Sequence, residues 1–467
     1  MSDLTVAGLA ADIRAGRRSP VEVTRECLAR IERLDGRLRA FIAVDAEGAL
    51  GAARALEADA AAGRWRGPLH GVPVAFKDLC HLAGQPTSCG TKTAAYFVAE
   101  HECTAARRLL AAGAVGLGKL NMSELASGPF GDNAHHGDVQ NPWRAGHCAG
   151  GSSSGSGAAV AARLALGAIG TDTGGSIRLP AACCGVVGLK PTYGRVSRAG
   201  AMALSWSLDH VGPLACTVRD AALLLAVMAG RDPHDATTSH RPVPDYLARL
   251  EAPITGLRVG VPAGYFFDHI DPEMGAGARA ALGVLEGLGT RVEELGLPDA
   301  AGLVDVANVI SRVEAATIHA RLLTERPHEV QPAVRARLEV GRGVSAHDYL
   351  QALRLRARLA RHFIAEVFEA VDVLVAPVIP EPAPSLQAVK AGSVDDVVAR
   401  MGRFSRLTRP FNALGLPALA VPCGFSAAGL PLAIQIVGRP FDEATVLRVG
   451  HAYEQATTWH RRRPPLD

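Results

Sequence analysis

The chain has 467 residues, of which 48% are hydrophobic and 20% charged, a balance that is typical of a folded globular protein and excludes a disordered one. Its net charge of +3 is too small to indicate a nucleic acid or an anionic membrane as a partner. Nine cysteines with no Cys-x-x-Cys pair predict reduced thiols, and the N-terminus lacks the pattern of a signal peptide. We therefore expect a cytoplasmic protein without a membrane span, since the most apolar run, 158–169, contains Arg163 and is too short.

The first third of the chain alternates helix and strand patterns. Ser19, Pro20 and Glu22 predict a helix start, because serine caps, proline fits the first turn and glutamate completes a capping box. We expect a strand over 38–44, a helix over 47–62, a strand over 72–76 that leads into Lys77, a helix over 104–112 and a strand over 115–119. Residues 121–157 have no periodicity, and so long a loop in a compact protein is usually functional.

The remaining elements predict the fold class. A helix is expected over 158–166, and 168–169 leads into the loop that contains Ser176. A strand–helix–strand unit follows over 257–295, and apolar strands are expected at 371–376, 418–421 and 432–437, the last two joined as a hairpin. Apolar strands that alternate with helices predict an α/β protein, and the hairpin predicts a mixed sheet.

One lysine and two serines are the candidate catalytic residues. Ser152 lies in the Gly/Ser-rich run 150–157, Ser176 lies in a second loop of small residues, and Lys77 ends a predicted strand. A serine nucleophile can be activated by lysine in place of histidine, provided that burial lowers the lysine pKa from about 10.4. Taken singly, an exposed lysine and two turn serines are the more common interpretations. Only the combination indicates a catalytic site.

Three other motifs fit the glycine-rich loop less well. A phosphate-binding loop would end in Lys-Ser/Thr, which 150–157 does not, and the glycine spacing does not match a dinucleotide fingerprint. The run 151–155 formally matches a nucleophile elbow centred on Ser153, but it follows loop residues and not a strand. We therefore favour Ser176 over Ser153 as the nucleophile.

A cluster of potential metal ligands also lies in the long loop. Its spacing fits no zinc site, and adjacent histidines would point apart, so we expect no metal. The residues concerned are His135, His136, Asp138, His147 and Cys148.

Segments 150–160, 170–181 and 185–197 resemble the signature of the amidase signature family. The similarity extends over nearly the whole chain and includes 118–122, 207–213 and 417–424. The resemblance implies a single α/β/α domain over 1–467 around a large mixed, mostly parallel central sheet. Within it we expect an N-terminal helical segment at 1–64, a catalytic core at 65–220 and a variable substrate-pocket region at 290–400.

The resemblance also implies roles for individual residues. Ser176 would be the nucleophile, Ser152 a bridging serine preceded by a cis peptide bond, and Lys77 the base. Backbone N–H groups would form the oxyanion hole, and four further residues would contact the substrate. The expected oxyanion-hole residues are Thr173, Gly174, Gly175 and Ser176, and the expected substrate contacts are Met122, Ser127, Gly128 and Ile177.

The expected reaction is hydrolysis of a small-molecule amide with water, without a cofactor. The small and apolar residues near these loops favour an uncharged aryl or alkyl amide, while carbamates and esters remain open. A homodimer also remains open. A binding protein without activity is disfavoured, because Lys77, Ser152 and Ser176 are all present.

The main alternative is the glutaminase subunit of a tRNA-dependent amidotransferase, which belongs to the same family. Arg356 matches the arginine that would bind the glutamine carboxylate. Residues 313–319, however, occupy the region of a tyrosine-containing block of that subgroup, and Ser405 stands where an aspartate is expected before Asn412. We therefore favour a stand-alone amidase.

Overall fold

The computed structural model describes residues 4–92 and 97–466. Their central feature is a single sheet of eleven strands. The strands are β1 (Phe41–Val44), β2 (Pro73–Lys77), β3 (Val115–Leu120), β4 (Gly167–Asp172), β5 (Val187–Lys190), β6 (His210–Ala215), β7 (Arg258–Pro262), β8 (Arg291–Leu295), β9 (Val373–Pro377), β10 (Ala418–Phe425) and β11 (Pro431–Gly438). Their order across the sheet is β1-β3-β2-β4-β6-β5-β10-β11-β9-β7-β8.

Helices cover this sheet. Strands β2, β4, β6, β9 and β11 are buried along their whole length, and because successive side chains point to opposite faces, both faces of the sheet are covered. The helices are α1 (Val6–Arg14), α2 (Pro20–Leu38), α3 (Ala46–Ala61), α4 (Thr104–Ala111), α5 (Ser154–Ala161), α6 (Arg178–Cys184), α7 (Val218–Met228), α8 (Pro272–Gly287), α9 (Ala300–Ile318), α10 (Ala320–Glu325), α11 (Pro332–Val340), α12 (Ala346–Ala370), α13 (Leu386–Lys390), α14 (Val394–Phe404), α15 (Arg409–Ala413) and α16 (Glu443–Gln455).

The sheet is mixed, as predicted, and the single α/β domain is confirmed. Parallel pairs form two blocks, β3-β2-β4 and β9-β7-β8. The strands between these blocks pair antiparallel, because β6 and the β10–β11 hairpin run against their neighbours. Strands from the ranges 1–64, 65–220 and 290–400 all join this one sheet.

Most of the predicted elements form close to their expected bounds. Helix α2 begins at Pro20, where the side chain of Ser19 accepts hydrogen bonds from the N–H groups of Val21 and Glu22. The β10–β11 hairpin forms as predicted. The helix predicted over 158–166 was misplaced: α5 begins at Ser154 and ends at Ala161, because Arg163 adopts a left-handed conformation with φ 57°.

The fold brings the candidate residues to one edge of the sheet. Strands β2 and β4 are adjacent and parallel, with Phe76 paired to Ile169. The carboxyl ends of adjacent parallel strands meet at the same edge, which is where α/β sheets bind ligands. Lys77 is the last residue of β2, and the Ser176 loop follows β4 directly.

All nine cysteines are buried and unpaired, which agrees with the expected reduced thiols. Across residues 4–92 and 97–466, none of the helices combines the length and the apolar character that crossing a bilayer requires.

A glycine on β3 provides a test of the sheet edge. Gly118 has φ 140°, and a Cβ atom there would lie 2.2 Å from the carbonyl oxygen of Ala43 on β1. We expect Gly118→Ala to lower the free energy of unfolding by about 1–3 kcal/mol, because it adds a clash to a strained backbone. Gly36 on α2 has open space around it, so Gly36→Ala should raise stability by about 0.5–1 kcal/mol. Urea denaturation of both variants measures the difference, and equal effects would contradict the β1–β3 geometry.

Candidate active site

The loop that carries Ser176 connects β4 to α6 and is organised by Asp172. The carboxylate of Asp172 accepts hydrogen bonds from the backbone N–H of Gly175 at 2.7 Å and of Ile177 at 3.2 Å. It also accepts one from Nε of Arg178 at 3.1 Å. Ser176 lies between these anchors, is partly exposed and lines a cavity, so the Asp172 carboxylate fixes the backbone on both sides of an accessible residue.

Arg178 links this loop to the C-terminal part of the chain. Its guanidinium donates to the side-chain oxygen of Gln435 on β11 at 2.8 Å and to that of Asn412 on α15 at 2.6 Å. Asn412 in turn donates to Asp172 at 2.8 Å. Burial alone would raise the pKa of Asp172, but the charge and hydrogen bonds of Arg178 hold it well below its usual range. Asp172 is therefore an anion at neutral pH and a permanent anchor.

Lys77 is buried and contacts two hydroxyl groups. Its Nζ lies 2.7 Å from Oγ of Ser152 and 2.8 Å from Oγ1 of Thr171 on β4. Burial lowers the pKa of Lys77 to about 7, and the nearby Cys80 thiol and Asp209 carboxylate oppose this only in part. A large fraction of Lys77 is therefore neutral near pH 7, and a neutral amine can accept a proton from the hydroxyl of Ser152.

Ser152 lies at the entrance to α5, where two loops meet. The peptide bond between Gly151 and Ser152 is cis, as the resemblance implied. The next residue, Ser153, donates its N–H to the carbonyl oxygen of Ser176 at 3.2 Å, so the two serine loops are in direct contact. Oγ of Ser153 exchanges hydrogen bonds with the backbone of Thr171 and is fully buried, which makes Ser153 a structural link between loop and strand.

The four expected oxyanion donors differ in their surroundings. The N–H of Gly175 is already donated to Asp172. Within the described residues, the N–H groups of Thr173, Gly174 and Ser176 have no backbone or side-chain acceptor. These three can point toward an oxygen that develops charge above the loop.

A small cavity of about 40 Å³ lies beside Ser176. Gly128, Thr173 and Gly174 line it together with Arg337 on α11 and Arg409 on α15. We had expected small and apolar walls that suit an uncharged amide. Two arginines make this wall cationic, which corrects the expectation.

A second, larger cavity of about 220 Å³ reaches the other side of the same loop. Leu79, Met202 and Trp206 give it a mainly apolar lining, and Thr171, the neighbour of Lys77, opens onto it. Thr173 lines both cavities, so a substrate could place one group in each while its carbonyl lies above Ser176.

The other predicted pocket residues lie at different depths. Gly128 lines the small cavity and Ser127 is its buried neighbour. Met122 and Ile177 are fully buried and line neither of the two cavities. Direct substrate contacts of these residues stay predictions.

Ser405 and Arg356, the residues compared above with the glutaminase subunit, lie in different surroundings. Ser405 lines the small cavity and accepts a hydrogen bond from Nε of Arg409 at 3.0 Å. Arg356 donates instead to the carbonyl oxygen of Ala413 at 2.6 Å and lines neither cavity. Binding of a substrate carboxylate by Arg356 stays a prediction, and the arginines that line the small cavity are Arg337 and Arg409.

The histidine cluster of the long loop has ordinary partners. Nε2 of His135 lies 2.7 Å from a carboxylate oxygen of Glu124, and His136 contacts the carbonyl oxygen of Thr91. Among residues 4–92 and 97–466, no three His, Cys, Asp or Glu side chains are grouped so that they could hold a metal ion.

The family model for Amidase matches residues 22–447. The chain belongs to the amidase family. It is 45% identical over 468 residues to an amidase of Pseudomonas putida, covering 100% of this chain and 98% of that protein. It is 43% identical over 488 residues to a glutamyl-tRNA(Gln) amidotransferase subunit of Roseiflexus sp. (strain RS-1), covering 100% of this chain and 99% of that protein. The structure of the peptide amidase from Stenotrophomonas maltophilia is similar with a TM-score of 0.86 at 32% identity, covering 100% of this chain and 99% of that one.

The positions of the serines predict which one is acylated. A fluorophosphonate should label Ser176, because this residue is partly exposed, whereas Ser153 is buried and its hydroxyl is hydrogen-bonded. Peptide mass spectrometry locates the adduct. Ser176→Ala should abolish labelling, and Ser153→Ala should leave the adduct on Ser176. An adduct on Ser153 in the unaltered protein would contradict the assignment.

The pKa of Lys77 predicts the pH dependence of the same labelling reaction. The rate should rise with pH through about 7 and level off above it, because only neutral Lys77 can accept a proton from Ser152. Lys77→Met should slow labelling by about a thousandfold or more. Lys92, which is exposed, supplies the control: Lys92→Met should keep both rate and profile. A Lys77→Met variant with an unchanged pH profile would exclude lysine as the base.

Proposed function

We propose that this amidase-family enzyme hydrolyses small-molecule amides through an acyl-enzyme on Ser176, with Ser152 and Lys77 as a proton relay. The observation that carries the proposal is the buried Lys77, whose Nζ lies 2.7 Å from Oγ of Ser152 and whose pKa burial lowers to about 7. The loop of Ser152 contacts the loop of Ser176 through the Ser153 N–H. The reactants are the amide and water.

The first half of the reaction forms the acyl-enzyme. Oγ of Ser176 attacks the carbonyl carbon, its proton passes to Ser152, and the proton of Ser152 passes to neutral Lys77. The N–H groups of Thr173, Gly174 and Ser176 bind the developing oxyanion. As the C–N bond breaks, Ser152 protonates the leaving nitrogen and recovers a proton from Lys77.

The second half returns the enzyme to its starting state. A water molecule attacks the acyl carbon, and its proton passes through Ser152 to Lys77. The bond to Oγ of Ser176 then breaks, and the proton returns through Ser152 to Ser176. The products are an amine, or ammonia from a primary amide, and a carboxylic acid. In this scheme Ser152 serves both half-reactions, because one hydroxyl exchanges protons with the leaving nitrogen in the first and with water in the second.

The second candidate is the glutaminase function of an amidotransferase, which the similarity to the Roseiflexus protein favours. Two features of the chain favour the stand-alone reaction. Ser405 lines the cavity where that subgroup is expected to have an aspartate for the glutamine ammonium. The guanidinium of Arg409 lies against Ser405, and a positive charge there disfavours an ammonium group.

The purified chain alone tests the choice between these functions. We expect it to release ammonia from primary amides that lack an α-ammonium group at least about tenfold faster, in kcat/KM, than from glutamine. A coupled ammonia assay compares glutamine with glutaramate, which is the same molecule without the α-ammonium group. Ser176→Ala supplies the blank. A clear preference for glutamine, or activity that needs an added tRNA-binding partner, would favour the amidotransferase function and leave the proton relay untouched.

A further inference from the structure

Two arginines face the small cavity beside Ser176 and have neutral partners. Arg409 donates to Oγ of Ser405 at 3.0 Å and to the side-chain oxygen of Asn308 at 2.9 Å. Arg337 donates to the sulfur of Met401 at 3.5 Å. Within residues 4–92 and 97–466, neither arginine forms an ion pair with a carboxylate.

Two other buried arginines have carboxylate partners, whereas Arg163, far from the cavity in sequence, donates to the carbonyl oxygen of Leu4 at 2.8 Å. Arg178 pairs with Asp172 at 3.1 Å, and Arg195 lies 3.5 Å from Glu443. Burying a charge without a counter-charge is costly, so a buried guanidinium normally has a carboxylate partner. Arg409 is buried and Arg337 partly buried, and their hydrogen-bond partners are hydroxyl, amide and thioether groups. The carboxylate of Asp132 is close enough to Arg337 to act on its charge, but the two form no ion pair within the described residues. The missing counter-charge is therefore expected from a ligand.

The electrostatics of the cavity are consistent with this interpretation. Burial lowers the pKa of Arg337 to about 9 and that of Arg409 to about 10, and the charge of Arg312 adds to the effect at both. Asp132 is near enough to oppose the shift at Arg337, but its effect is the smaller one. Both guanidinium groups stay protonated at neutral pH and repel each other until an anion binds between them.

We propose that the substrate carries a carboxylate, which Arg337 and Arg409 bind in the cavity beside Ser176. The planar fork of a guanidinium matches a carboxylate, and two forks favour it over a neutral amide. The inference rests on the proposed amide hydrolysis and names its substrate class: amides of short acids that carry a second, ionised carboxyl group.

The size of the cavity limits the length of the substrate. A cavity of about 40 Å³ compares with the roughly 10–15 Å³ that one water needs. It therefore has room for a carboxylate and one or two carbon atoms. Monoamides of dicarboxylic acids with three or four carbons fit this limit, those with five exceed it by one methylene group, and the larger apolar cavity is left for the substituent on the nitrogen.

Matched pairs of substrates test the proposal. Malonamate, succinamate and glutaramate each differ from their diamides by one carboxylate in place of one carboxamide. We expect the monoamides to have a kcat/KM at least about tenfold higher, since a hydrogen bond to a charged group is stronger than one to a neutral group. Arg337→Met and Arg409→Met should each reduce this preference about tenfold or more, and Arg409→Lys should retain part of it.

Arg335 supplies the control, since it lies two residues before Arg337 on α11 and lines neither cavity. Arg335→Met should keep the full preference. Fluorophosphonate labelling of Ser176 in each variant shows that the fold and the relay are intact. The carboxylate site would be overturned if the enzyme preferred the diamides, or if Arg337→Met and Arg409→Met both kept the preference for the monoamides. Neither result would count against amide hydrolysis.

A binding measurement separates this inference from the proposed reaction. Malonate and succinate should protect Ser176 from the fluorophosphonate in the unaltered protein, and protection should weaken about tenfold or more in Arg409→Met. Protection without hydrolysis of any amide would support the site and count against the proposed reaction. Absence of protection up to high millimolar concentration, with diamides hydrolysed as well as monoamides, would remove the carboxylate site alone.

Discussion

The buried ion pair between Asp172 and Arg178 determines where Ser176 stands. A fully buried pair is stable only when its remaining hydrogen-bonding atoms are satisfied. Here Asp172 also accepts from the backbone of the nucleophile loop, and Arg178 donates to Asn412 and Gln435. The pair therefore connects the end of β4 and the start of α6 with α15 and β11. The position of the nucleophile depends on residues more than two hundred positions away in the sequence.

The site contains three buried cationic side chains whose surroundings lead to different states. Arg178 has a carboxylate partner and is a fixed structural charge. Among the described residues, the hydrogen-bond partners of Lys77 are two hydroxyl groups, and because an amine can lose its proton, burial favours its neutral form. Arg409 also has only neutral partners, but a guanidinium keeps its proton. The same desolvation thus favours a neutral amine at the lysine and leaves a lasting positive charge at the arginine.

The sequence motifs predicted the residues of the Gly/Ser-rich loops and their lysine partner. They did not predict which residues of the distant helices line the cavities, because that depends on tertiary packing. Lys77 and Ser152 come together as predicted, and the cis bond before Ser152 is present. Strands β5 and β6 were missed because they are short and glycine or proline interrupts their apolar pattern. Arg356 and Arg337 both lie on helices, and helical periodicity alone does not show which of them faces the cavity. The cationic wall could therefore be found only in the folded chain.

One face of α9 joins the two cavities on either side of the nucleophile loop. Asn308, Ser311 and Glu314 recur every three residues and so lie along one side of the helix. Asn308 accepts from Arg409, and Ser311 lines the small cavity. One turn further on, Glu314 accepts hydrogen bonds from the backbone and side chain of Ser207, beside the larger cavity. Because a single helix contacts both Arg409 and Ser207, the α9 backbone fixes the distance between the arginine wall of the small cavity and the wall of the larger cavity. If the proposed carboxylate site operates, a substrate is selected by length as well as by charge, because its carboxylate and its carbonyl must span this fixed distance.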